Sequence, residues 1–182
     1  MSQPVINNEG SCSASELDTL ASMPVFGGVS AEALEFLLQG AERIQVPRGV
    51  CYFREGQPGD IMYVLLQGGV EVRRGSDEHH EFLGRLGPGD CFGEMALLDL
   101  YPRSATVEAI EDSAALGISH NLLYDLYGHS PEPFTIVMMN LARELSRRLR
   151  AADEQLARIQ GQGGWKGTLR PDAGEHYLPY YI

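Results

Sequence analysis

The residue types best suited to chemistry fall in one stretch, FGEMALLDLYPRSATV, residues 92–107. Gly93 lets a backbone approach a ligand closely. Glu94, Met95 and Ala96 open a run rich in Ala, Leu and Met, which favours a short helix, and the first N–H groups of a helix point at an anion. Arg103 brings a planar fork of donors suited to phosphate oxygens. Pro102 stiffens the approach to it, and Ser104 places a hydroxyl beside it. Glu94 is the odd member, since a carboxylate repels phosphate. It fits if it accepts hydrogen bonds from a sugar hydroxyl a few ångströms away, so the constellation asks for ribose and phosphate together.

Such residues need a rigid frame. From Ala41 to Ile118 short apolar or alternating runs (IQV, VCYF, IMYVLL, VEV, FLGRL, CF, ATVEAI, AALGI) are separated by turn chemistry: PRG, EGQPGD, QGG, RGSDEHH, GPGD and EDS. Many short strands with Gly and Pro punctuation predict a mainly β fold, an antiparallel β-roll or jelly-roll barrel. GEMALLDL (93–100) interrupts it as a short helix. Flanking helices are predicted at SELDTLASM (15–23), at SAEALEFLLQG (30–40) with Ser30 as N-cap and Gly40 as stop, and at NLLYDLYG capped by Ser119. Ser130-Pro131 then opens a long helix to about Gln160.

On that helix Met138, Ala142, Leu145, Leu149, Ala152, Leu156 and Ile159 recur in steps of four and three. This is a seam for a second helix, either of a partner copy through 138–159 or of the protein's own barrel. The domain reading is a disordered leader (1–14), the β-roll with its flanking helices (15–130), the long lid or dimerisation helix (131–160) and a Gly-rich, aromatic tail (161–182). Trp165 and the tail tyrosines predict that 165–182 docks on a protein partner or on the barrel.

The segment FGEMAL followed by PRSATV, with Arg103 nine residues after Glu94, resembles the phosphate-binding cassette of the cyclic-nucleotide-binding domain family. That family includes kinase A regulatory subunits, cyclic-nucleotide-gated channels and the catabolite activator protein. PVFGGVSAEALEFL, FREGQPGDIMYVLLQGGVEV and LGRLGPGDCFGE extend the likeness over roughly 20–159. The resemblance implies that Glu94 takes the ribose 2′-hydroxyl and Arg103 an exocyclic phosphate oxygen. Ser104, the Ala105 N–H and the Gly93 end of the short helix take the rest of the phosphate, and Val72, Leu83 and Leu86 form the apolar wall for the base. Where the family's long helix caps the base, this chain offers Arg147, Arg150, Ala152 and Asp153 and no aromatic. Serine at position 104 occurs in cAMP binders, whereas threonine there accompanies cGMP, so cAMP is the expected ligand and cGMP the alternative. The catabolite activator relatives continue into a helix-turn-helix domain, but here only residues 161–182 follow, so a stand-alone receptor is expected.

The composition agrees. Hydrophobic content of 43% with 21% charged residues is that of a folded chain. A net charge of −11 argues against nucleic acid, whose affinity comes mainly from Lys and Arg. No signal sequence or long apolar run is read, which predicts a cytoplasmic protein without membrane insertion. Cys12, Cys51 and Cys91 lack metal-ligand spacing and read as free thiols, and His79-His80 reads as a solvated hairpin loop, so no metal is expected. A cupin-type enzyme would need His-x-His with a following Glu, which the strands lack. The expectation is a non-catalytic cyclic nucleotide receptor that moves its C-terminal helix and signals to a protein. The alternative is a scaffold that keeps the barrel and has lost the ligand.

Overall fold

The computed structural model describes residues 5–7, 14–76 and 79–163. The chain divides into two compact units, Met1–Glu144 and Leu145–Ile182. In the first, nine strands among the described residues form two antiparallel sheets. They are β1 (Val5–Asn7), β2 (Glu42–Val46), β3 (Cys51–Phe53), β4 (Ile61–Gln67), β5 (Val70–Gly75), β6 (His80–Leu86), β7 (Cys91–Phe92), β8 (Thr106–Ala109) and β9 (Ser113–Ser119). One sheet runs β1-β2-β9-β4-β7 and the other β3-β8-β5-β6. Every apolar run singled out between Ala41 and Ile118 is a strand.

The continuous apolar run of β4 has a simple cause. A strand's side chains alternate between faces, so a strand covered on both sides needs apolar residues at every position. Tyr63 and Leu65 point into a core between the sheets, with Ile44, Val46, Tyr52, Phe53, Val70, Phe92 and Val107. Met62 and Val64 point the other way, into a core built with the helices.

Those helices are α1 (Ala14–Ser22), α2 (Ala31–Gly40), α3 (Glu94–Asp99), α4 (His120–His129) and α5 (Pro131–Gly163), with a 3-10 turn at Pro24–Phe26. Ser30 Oγ accepts from the Ala33 N–H and Ser119 Oγ from the Leu122 N–H, so both expected N-caps are made. Gly40 ends α2 for a reason other than a left-handed stop. A Cβ there would fall 2.3 Å from Leu122 Cδ1, so glycine lets Leu122 of α4 sit directly against α2 without moving aside.

Two expectations are revised. Inside the expected leader, Val5–Asn7 is a strand paired with β2, Ile6 opposite Ile44; the rest of residues 1–13 lies outside the described residues. On α5, the residues buried against the first unit's core are Val137 and Leu141, while Met138 sits at the margin and Ala142 is exposed. The stripe facing the core is therefore offset from the Met138-Ala142-Leu145 seam. No helix among the described residues is long and apolar enough to cross a membrane.

Asn140, 8% exposed, fastens α5 to the N-terminal turn. Its amide donates to Val25 O at 3.1 Å and Gly27 O at 2.9 Å, and its oxygen accepts from Arg143 Nη1 at 2.8 Å. Asn140→Ala leaves those carbonyls without this donor and is expected to cost about 2–4 kcal/mol of stability, read as a lower denaturant midpoint at unchanged slope. A loss below about 0.5 kcal/mol, the range of ordinary surface substitutions, would show that the clasp does not hold the fold.

Candidate functional site

The site is built around the side chain of Arg103, which is 5% exposed although it is an arginine. Its backbone is held first. The Arg103 N–H donates to Gln57 O at 2.8 Å and the Gly56 N–H donates to Arg103 O at 2.9 Å, so the EGQPGD loop pairs with the residue on both sides. Two neighbouring bonds stiffen that loop, Arg54 N–H to Gln57 Oε1 at 2.8 Å and Glu55 N–H to Thr106 Oγ1 at 3.0 Å.

The guanidinium then lies on aromatic faces. Its Cζ is 4.2 Å from the centroid of the Phe53 ring and 5.7 Å from that of Tyr63. Both rings belong to a packed block: Tyr63 stacks on Phe92 at 5.3 Å between centroids, and Phe53 on Tyr63 at 5.8 Å. Nη1 donates to Gly93 O at 2.8 Å. Nε has no hydrogen-bond partner among the described protein groups.

Burial pushes the guanidinium's pKa down, while Tyr63, Asp60 and Glu94 pull it up. The Tyr63 phenol is pushed up by burial, with Arg103 pulling it down. Arginine stays charged at neutral pH whatever its surroundings, so the fold carries the desolvation cost of a cation.

Gly93 meets two demands at once. Its φ of 75° is left-handed, and a Cβ would fall 2.6 Å from Arg103 Nη1 and 3.1 Å from Phe53 Cε1. Glu94, 3% exposed, begins α3, and Ala96 is buried behind it. Met95 is exposed, and its sulfur accepts from Ser104 Oγ at 3.7 Å. Ala105 is buried at the entry to β8. The expected cluster of Gly93, Glu94, Met95, Ala96, Arg103, Ser104 and Ala105 is thus one place in the fold.

The expected apolar wall is more open. Val72 and Leu86 are half-buried against the inter-sheet core, and Leu83 is 54% exposed. Gly84, opposite Val72 on β6, has open space where a Cβ would stand. Arg147, Arg150 and Asp153 lie on α5 past Glu144, in the second unit, and Arg150 and Asp153 are exposed. Trp165 and the rest of 164–182 lie outside the described residues. His79 and His80 are exposed, and among the described residues no three metal-ligating side chains gather.

Three residues were missed in the sequence. Phe53 and Tyr63 read there as ordinary strand residues, and Gly59 as part of a turn. Gly59 has no positive φ to explain it, yet a Cβ would fall 2.2 Å from Arg103 Nε and 2.3 Å from Cζ. A second glycine in a loop that already holds Gly56 was the available signal.

A buried cation with an unpaired Nε is a poor contributor to stability, and replacing buried charge by an apolar side chain of similar volume is commonly neutral or stabilising. Arg103→Met is expected to unfold, ligand-free, at a denaturant midpoint no lower than the parent's. A fall of about 1 kcal/mol or more would mean that the arginine is kept for the fold.

The cyclic nucleotide-binding domain model matches residues 43–130. The chain is 33% identical over 141 residues to a CRP-like cAMP-activated global transcriptional regulator of Mycobacterium tuberculosis, covering 77% of this chain and 61% of that one. It spans about three fifths of the length of the cAMP-regulator relatives and about a third or less of the channel and kinase-subunit relatives. Among solved structures, a cyclic nucleotide-binding domain from Methylobacillus flagellatus superposes with TM-score 0.71 at 26% identity, covering 85% of this chain and 84% of that one. The N-terminal domain of a transcriptional regulator from Streptomyces coelicolor gives TM-score 0.63 at 31% identity, covering 71% and 94%. With the two-sheet roll, the short helix after Gly93 and the buried Arg103 all in place, the chain belongs to the cyclic nucleotide-binding domain family.

Proposed function

We propose that this protein is a non-catalytic receptor for a cyclic nucleotide, with cAMP favoured over cGMP. The observation that carries the reading is the Arg103 guanidinium, buried beside Gly93 and Glu94 with Nε unpaired. An anion that brings its own acceptor oxygens supplies what such a donor lacks, and in a desolvated site that bond is strong.

Arg103 takes an exocyclic phosphate oxygen, and Ser104, the Ala105 N–H and the backbone of Gly93, Met95 and Ala96 take the rest. Glu94 accepts from the ribose 2′-hydroxyl. Val72, Leu83 and Leu86 flank the base. The relatives support cAMP, since the Mycobacterium tuberculosis regulator is described as cAMP-activated, and serine rather than threonine stands at position 104. No nucleophile and base partner is evident at Glu94 and Arg103, which favours binding over turnover.

Ligand becomes signal by shifting α5, and the receptor acts in the cytoplasm on a protein partner. The net charge of −11 disfavours a nucleic acid in that place. Residues 165–182 contribute to the partner surface. A second copy joins through the exposed side of α5, where Leu149 and Leu156 are 64% and 50% exposed. The second reading, a scaffold that does not bind nucleotide, is disfavoured because Arg103 and Glu94 are both present and both buried.

Calorimetric titration with cAMP and with cGMP tests the central claim. Saturable binding is expected, weakened roughly ten- to a hundredfold in Arg103→Ala and in Glu94→Ala, or about 1.5–3 kcal/mol. Hydrogen exchange across residues 131–158 should slow or speed when cAMP is added, because a ligand that changes nothing there has no differential affinity to transmit. Heat from neither nucleotide, with folded and ligand-free protein, would leave the scaffold reading. For the dimer, Leu149→Glu with Leu156→Glu should halve the mass seen by light scattering; a parent protein already at the mass of one chain would remove that proposal.

A further inference from the structure

The cation of the site rests on rings, and this has a functional consequence beyond packing. We propose that Phe53, with Tyr63 behind it, is a positioning residue for phosphate recognition: its ring face holds the Arg103 guanidinium in its bound geometry and remains under it when the ligand arrives. The inference rests on the proposed reading of the site as a cyclic nucleotide pocket.

Three contacts fix the guanidinium. Nη1 is tied to Gly93 O, which is one bond and leaves rotation about it. Gly59 closes over Nε and Cζ so tightly that a Cβ would overlap them. The Phe53 ring supports Cζ at 4.2 Å, and Tyr63 flanks it at 5.7 Å. Ring, glycine and carbonyl together leave the fork little freedom, and each acts without adding negative charge.

That last point separates a ring from a carboxylate. A carboxylate in the ring's place would position the arginine and also neutralise it, competing with phosphate for the same donors. A ring quadrupole attracts the cation through its face and occupies none of the N–H donors in the guanidinium plane. The ring meets the face and Gly93 O takes Nη1, so the guanidinium edge can meet a phosphate oxygen while both contacts persist. Phe53 is itself fixed by the block of Tyr63 and Phe92, which makes the support rigid.

The test separates electrostatic support from mere packing. Pentafluorophenylalanine in place of Phe53 keeps the shape nearly unchanged and reverses the ring quadrupole, and mono- and difluoro analogues give intermediate steps. Affinity for cAMP should fall stepwise with fluorine number, by roughly ten- to thirtyfold at the end of the series, the range of a desolvated cation–π contact. In the Arg103→Ala background the series should have no effect, since a residue acting through Arg103 has nothing left to act on. Equal losses in both backgrounds, or affinity indifferent to fluorination while Phe53→Leu weakens binding, would reduce Phe53 to core packing and overturn the inference. Tighter binding on fluorination would overturn it too, because the ring would then be a resting place the arginine must leave. If the parent binds neither cAMP nor cGMP, the proposed function falls and this inference with it; if the parent binds and position 53 does not respond, this inference alone falls.

Discussion

A guanidinium taken into a β-rich core loses its hydration, and the fold around Arg103 is arranged to offset that loss without neutralising the charge. The rings of Phe53 and Tyr63 supply quadrupole attraction, and Gly93 O supplies one hydrogen bond. Gly59 and Gly93 bring backbone to within contact of the planar head, where any side chain would collide. The loop from Arg54 to Asp60 holds the Arg103 main chain by reciprocal bonds through Gly56 and Gln57. Gly59, which has no positive φ, is explained by the arginine head alone, whereas Gly93 also answers to its left-handed backbone.

One strand connects this site to the rest of the molecule. In β4, Tyr63 touches the guanidinium's surroundings, while its neighbours Met62 and Val64 belong to the core shared with α2, α4, Val137 and Leu141. Alternation along a strand thus puts the Arg103 guanidinium and the base of α5 on opposite faces of the same few residues. Close packing leaves little slack between Tyr63 and its strand neighbours Met62 and Val64. Asn140 then ties the same stretch of α5 to the Pro24–Phe26 turn, so that turn and helix base share one set of bonds.

The strands were legible because each is a short apolar run closed by turn residues, and the caps at Ser30 and Ser119 because a hydroxyl before a helical run has one favourable use. The cluster from Gly93 to Ala105 was legible because it is local in sequence. What was not legible depends on distant contacts. Gly40 and Gly59 read as ordinary punctuation, yet they answer to Leu122 and to Arg103, which lie far along the chain. Phe53 and Tyr63 sit in ordinary apolar strand runs, and nothing in their neighbours tells that a cation rests on them. Val5–Asn7 is too short to show a period, and its pairing comes from the exposed edge of β2. The α5 pattern was read as one stripe, whereas Val137 and Leu141 face the core and Leu149 and Leu156 continue another line.

The acidic balance of the chain and an anionic ligand are compatible for the same physical reason that makes Arg103 costly. Surface charges act through water and salt, where a field fades over about 8 Å at physiological ionic strength. A donor held in a desolvated recess acts through little water, and its attraction for a phosphate oxygen is not screened in that way. A net charge of −11 therefore sets how the molecule repels its own kind and other polyanions, while one buried guanidinium sets what a small anion meets inside. Burial is the source of both the cost and the strength: a side chain free to hydrate is cheaper to fold, and its attraction for any anion is weakened by water and salt.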